Sequence, residues 1–152
     1  MAKYKSSMAE KIIGRTDELD LMLKIAKSEE AELLAVFGRR RVGKTFLIRN
    51  AYKKELVFEF SGIHDATLNQ QLENFSGSLS GAIGHLTIAK PVSWIQAFKM
   101  LAEYLTPRIK KNKKVIFFDE FPWINTPRSG FLPAFENFWN SWASLQKLRK
   151  RP

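Results

Sequence analysis

The chain has no cysteine. That excludes disulfides and thiolate metal sites, and it fits a reducing, cytoplasmic compartment. Histidine is scarce. His64 and His85 are isolated, with no second ligand at metal spacing, so both read as structural. No apolar run reaches the length of about 18 residues that a membrane-spanning helix needs, and no membrane association is expected. The N-terminal stretch "MAKYKSSMAEK" lacks the apolar middle of a signal peptide. There is no internal repeat, no low-complexity linker and no guanine-reading N-K-x-D.

What is present suits one domain: 152 residues, 45% apolar and 26% charged. A chain of that length can bury roughly 70% of the surface its unfolded form exposes. Basic residues number 25 against 15 acidic ones, a net charge of +10. Such a balance favours anionic partners: nucleotide, nucleic acid or an acidic surface. The basic residues gather in "GRRRVGK" (38–44), "KKNKK" (110–114) and "KLRKR" (147–151).

Residues 1–11 read as a loose basic lead and 147–152 as a basic tail, with one domain between them. "GRTDELDLMLKIAKSEE" predicts a helix. Thr16 is placed to cap it, Asp17 and Glu18 sit in its first turn, and Leu19, Met22, Leu23 and Ala26 recur at helical spacing. "LLAVF" (Leu33 to Phe37) is a short apolar run, the pattern of a strand buried on both faces. "KTFLIRNAYKK" predicts a helix and "LVFEFS" (Leu56 to Ser61) a second strand. Between residues 65 and 83, Leu68, Leu72, Phe75 and Leu79 fall at helical steps, weakened by Gly77 and Gly81. "VSWIQAFKMLAEYL" is a stronger helix, stopped by Pro107. "KKVIFFDE" is a third strand, and "FLPAFENFWNSWASLQKL" a last helix with Pro133 near its first turn. Strands alternating with helices imply an α/β fold with a parallel sheet, which binds ligands at the carboxyl ends of its strands.

"GRRRVGKT", Gly38 to Thr45, matches the phosphate-loop pattern G-x-x-x-x-G-K-[ST] in full, and it lies between a predicted strand and a predicted helix. Gly38 and Gly43 allow backbone angles and close approach that a side chain would block. The loop N–H groups and the helix N-terminus converge on an anion. Lys44 offers a mobile ammonium to the outer phosphates. Thr45 offers a hydroxyl to Mg2+, which prefers oxygen ligands. The nucleotide-contacting set is therefore Gly38, Arg39, Arg40, Arg41, Val42, Gly43, Lys44 and Thr45, with Phe46 following. Arg39, Arg40 and Arg41 occupy variable positions. They are either solvated or raise the local potential around a triphosphate.

A phosphate loop needs a second carboxylate for magnesium at the end of a neighbouring strand. "VIFFDE" supplies one: Asp119 is the metal-side carboxylate, and Glu120 is placed to take a proton from an attacking water. An acidic residue directly after that aspartate points to ATP hydrolases rather than small GTPases.

In four segments, "IIGRTDEL", "AVFGRRRVGKTFLI", "SWIQAFKMLAEYL" and "VIFFDEFPWI", the chain resembles prokaryotic, archaeal-type P-loop ATPases of the AAA+/STAND group. The resemblance spans roughly residues 12 to 145 and implies a three-layer αβα P-loop NTPase domain over 12–146. It places Ile13, Gly14 and Arg15 beside the adenine; without it, they read as a turn and cap before a helix. It also implies that family members continue into further strands and a helical lid where this chain gives "LQKLRKRP". One of those strands would lie between the strand ending in Phe37 and the strand ending in Phe118. The expectation is an incomplete domain that binds ATP and Mg2+, with hydrolysis impaired, and relatives that act as regulatory switches with protein partners. The alternatives are a nucleic-acid-binding module, which the net charge favours, and an inert fragment. The aromatic segment containing Trp123, Trp139 and Trp142 is expected to pack in the core rather than form a partner surface. "KKNKK" reads as a solvated loop.

Overall fold

A computed structural model describes residues 15–36, 43–110 and 112–146. The first helix, α1, runs Thr16–Ala26 and buries Leu19 and Met22. Thr16 does not cap it. Arg15 holds the cap position and its side chain does not cap the helix, and Thr16 is already helical. Asp17 and Glu18 still supply negative charge at the positive helix end. The helix stops before "KSEE", which has no apolar residue to bury. There Lys113 Nζ donates to the Ile25 carbonyl at 2.8 Å and the Ser28 carbonyl at 3.3 Å, satisfying carbonyls left open at the helix end.

Helix α2, Lys44–Ala51, buries Leu47, Ile48 and Ala51. Strand β1, Leu56–Ser61, leads into α3, Leu68–Ile83. Thr67 and Gln70 form a reciprocal capping box at the start of α3. Gly77 and Gly81 sit on its outer side, where an added Cβ would meet nothing within 4 Å, so their cost falls on propensity alone. Helix α4, Trp94–Leu105, is capped by the Ser93 side chain accepting from the Gln96 N–H. Strand β2, Val115–Asp119, is followed by a short helix α5, Phe121–Ile124, which the sequence patterns did not suggest. Helix α6, Phe131–Ser141, and a 3₁₀ turn, Ala143–Leu145, complete the described chain.

β1 and β2 pair in parallel, with Phe60 beside Phe118 and Ser61 beside Asp119. They form a two-stranded sheet. The expected strand at Leu33–Phe37 is not formed over Leu33–Val36, and Phe37 lies outside the described residues. Leu33 is 59% exposed, and no described main-chain hydrogen bond joins Leu33–Val36 to the rest. An apolar run becomes a strand only when another strand pairs with it. Here β2 stands across a groove from this segment rather than beside it.

Helices cover both faces of the sheet. On one face, Phe58 and Phe60 pack with residues of α3, α4 and α6, and with Ile116 and Phe118 at the margin. On the other face, Phe117 packs with Leu19 and Met22 of α1 and with Leu47, Ile48 and Ala51 of α2. The fold is therefore α/β with a small parallel sheet between two helical layers. Among the described residues no helix is long and apolar enough to cross a membrane.

Candidate functional site

Alternation along the two strands decides what meets α2. Phe117 and Asp119 on β2, and Glu59 on β1, point to the α2 side, because side chains alternate along a strand. Two polar contacts result. Thr45, in the first turn of α2, donates its hydroxyl to Asp119 Oδ2 at 2.7 Å, joining residues 74 positions apart. Arg49, one turn further on, donates Nε to Glu59 Oε1 at 2.8 Å. That hydrogen bond to the Glu59 carboxylate raises the pKa of the Arg49 guanidinium. Helix α2 is thus fastened to both strands, and its N-terminus lies over the end of β2.

Gly43 precedes α2 with φ 78°, a left-handed conformation that glycine adopts without penalty. Gly43 and the first residues of α2, Lys44, Thr45 and Phe46, line a groove, and a helix N-terminus carries positive potential. Glu120 also turns left-handed, with φ 54°, as β2 gives way to α5. Its N–H donates to Asp119 Oδ1 at 2.9 Å. Both Asp119 oxygens are therefore held, one by a hydroxyl and one by the main chain.

Gly62 and Gln71 hold these tips in place, and sequence patterns singled out neither. The Gly62 N–H donates to the Asp119 carbonyl at 3.1 Å. A Cβ on Gly62 would come within 2.7 Å of Ile124 Cγ1 and 2.9 Å of the Glu120 carbonyl oxygen, so only glycine fits. Gln71 is 3% exposed. Its side chain accepts from the Ile63 N–H at 3.1 Å and donates to the carbonyls of Ile63 at 2.8 Å and Trp123 at 3.1 Å. It thereby ties the loop after β1 to α5. Its available signal was position: Gln71 lies beside the apolar stripe of Leu68, Leu72 and Phe75.

The groove has a volume of about 1560 Å³ and is lined by Gly43, Lys44, Thr45, Phe46, Asp119 and Glu120, among others. Six expected site residues thus share one concavity. Phe46 is 53% exposed within it. Arg15 does not line it. Ile13, Gly14, Gly38, Arg39, Arg40, Arg41 and Val42 lie outside the described residues. His85 is exposed; His64 is exposed too, with its ring edge-on to Trp123 at 5.1 Å. Among the described residues no cluster of three His, Cys, Asp or Glu forms a ready-made metal cage. The Thr45 hydroxyl and Asp119 carboxylate nonetheless suit Mg2+, which takes hard oxygen donors and is commonly held by one or two protein groups plus water and phosphate. The three tryptophans expected in the core, Trp123, Trp139 and Trp142, are half-buried and line the groove, whereas Phe131 and Phe138 of the same segment are buried.

Searches against protein-family models, curated proteins and solved structures found no match to this chain.

Proposed function

We propose that the chain is a P-loop nucleotide-binding domain that takes ATP with Mg2+ in the groove at the tips of α2 and β2. The observation that carries this reading is the 2.7 Å contact between Thr45 and Asp119, made from a left-handed glycine at the start of α2. It juxtaposes the two groups that a phosphate-loop sequence and a strand-end acid would each bring to magnesium. In this reading the N-terminal amides of α2 and the Lys44 ammonium hold the phosphates. Thr45 and Asp119 hold the metal, which when bound neutralises phosphate charge. Glu120, at the groove wall, accepts a proton from water. The three-layer P-loop NTPase fold and kinship with archaeal-type AAA+/STAND ATPases belong to this proposal, supported by the motifs and their order in the chain. Phe46 offers an apolar face to the base.

The test is equilibrium binding of a fluorescent ATP analogue with Mg2+. We expect binding to the wild-type chain and loss of about 10- to 100-fold in affinity for Lys44→Ala, the effect of removing one charge-assisted contact of roughly 1.5–3 kcal/mol. Unchanged affinity would defeat the phosphate-binding role. The net charge of +10 favours a second reading, nucleic-acid binding. Its signature is DNA affinity that falls steeply with salt and survives Lys44→Ala.

A further inference from the structure

Resting on the nucleotide reading above, we infer that Glu59 is a positioning residue for the metal site: it holds the Arg49 guanidinium off Asp119 and so keeps that carboxylate open to Mg2+. Strand register brings the two carboxylates close. Ser61 of β1 pairs with Asp119 of β2, and Glu59 pairs with Phe117. Glu59 and Asp119 are therefore diagonal neighbours on one face of the sheet, the face that α2 covers. A strand spacing of about 4.8 Å and a rise of about 3.3 Å per residue set them roughly 8 Å apart, within reach of one long side chain.

Arg49 is that side chain. It lies one turn beyond Thr45 on α2, so the two project from the same side of the helix. Thr45 reaches Asp119 at 2.7 Å. Arg49 turns to Glu59 instead: Nε donates to Oε1 at 2.8 Å, and Nη2 stands 2.5 Å from the same oxygen. Arg49 lines the groove together with Thr45 and Asp119, whereas Glu59 does not. The pKa of Arg49 is raised first by its bond to Glu59 and last by the charge of Asp119, so both acids act on this one cation.

A guanidinium carries five N–H donors in a planar fork that matches a carboxylate two-pronged. The hydrogen bonds described at Asp119 come from neutral donors, the Thr45 hydroxyl and the Glu120 N–H. Arg49 closing on Asp119 would compete with both and set a fixed positive charge where the metal binds. The Arg49 side chain is exposed, which leaves it room to turn. Glu59 prevents the turn by offering the same fork a carboxylate two residues back along the sheet.

Calorimetric titration of ATP, with and without Mg2+, into the whole chain, Glu59→Gln, Arg49→Gln and the double variant tests this. The quantity read is the factor by which Mg2+ tightens ATP binding. Glu59→Gln should cut that factor by about threefold or more, an effect of the size an exposed ion pair supports. In the Arg49→Gln background the same substitution should change it by less than about twofold, because no guanidinium is left to close on Asp119. Raised salt should shrink the loss in Glu59→Gln. A residue that only stabilised the fold would weaken ATP binding equally with and without Mg2+. An unchanged factor in Glu59→Gln, or an equal loss with and without Arg49, would overturn the inference and leave the nucleotide reading standing. No ATP binding to the wild type would overturn both.

Discussion

The two faces of the sheet are built differently. Toward α3, α4 and α6 the space is filled by rings: Phe60 meets Phe75 and Trp94, Trp94 meets Phe131, and Phe98 stacks on Phe138. Toward α1 and α2 the core is smaller and mostly aliphatic, with Phe117 and Tyr52 its two buried rings, and polar bonds supplement it: Thr45 to Asp119, Arg49 to Glu59, and the Tyr52 hydroxyl to the Met22 carbonyl. Aromatic packing contributes large apolar area without fixing a particular atom against another. Hydrogen bonds contribute little net stability but fix geometry. One face therefore holds the fold together, and the other places chemical groups.

Substitutions can break or sharpen that division. The largest effect should come from the aromatic face. Phe60 is fully buried, and Phe60→Ala should lose about 3–5 kcal/mol by denaturant unfolding, a large share of the stability of an ordinary domain. Next is Gly62→Ala, which drives a Cβ against Ile124 and the Glu120 carbonyl. We expect a loss of about 1–3 kcal/mol together with weakened nucleotide binding, because the same shift displaces Asp119. If stability fell and binding did not, the tips would not be coupled to the packing below them.

Smaller effects belong to the polar face. Tyr52→Phe removes the bond to Met22 and should cost about 1 kcal/mol. Burial, reinforced by Glu55, pushes the Tyr52 phenol up to about 12 from an ordinary 10. The unfolded chain then loses this proton at lower pH than the folded one. Stability from Tyr52 is thus fully present below pH 10 and falls as pH rises to about 12, and the Tyr52→Phe variant should lack that fall. Smallest of all should be Arg49→Ala. The Arg49 side chain is 56% exposed, so solvent screens its pair with Glu59, and the expected loss is about 0.2–1 kcal/mol in a thermal melt.

Much of this arrangement was legible in the sequence where local pattern decides. β1 forms over Leu56–Ser61 as the apolar run suggested, and Val115–Asp119 follows "VIFFD". Helix α3 forms despite its glycines because Leu72, Phe75 and Leu79 bury together. The meeting of Thr45 and Asp119 follows from motif order. What was hidden depends on contacts distant in the chain. The run Leu33–Val36 has strand composition, but among the described residues no strand pairs with it. Gly62 looks like a loop residue until Ile124 and Glu120 are seen against it. Gln71 lies among the polar residues of α3 and no sequence pattern marks it, yet its amide closes three main-chain bonds. The left-handed turn at Glu120 has no sequence signature, since glutamate seldom adopts it.

The central claim is that α2 and β2 bring Thr45 and Asp119 together to hold the magnesium of a bound triphosphate. Calorimetric titration of ATP into the wild-type chain and Asp119→Asn, each with and without Mg2+, tests this most directly. We expect magnesium to tighten ATP binding to the wild type by about tenfold or more and to leave Asp119→Asn nearly unaffected, the difference made by one metal-side carboxylate. Equal magnesium dependence in both proteins, or no ATP binding to the wild type at all, would contradict the account.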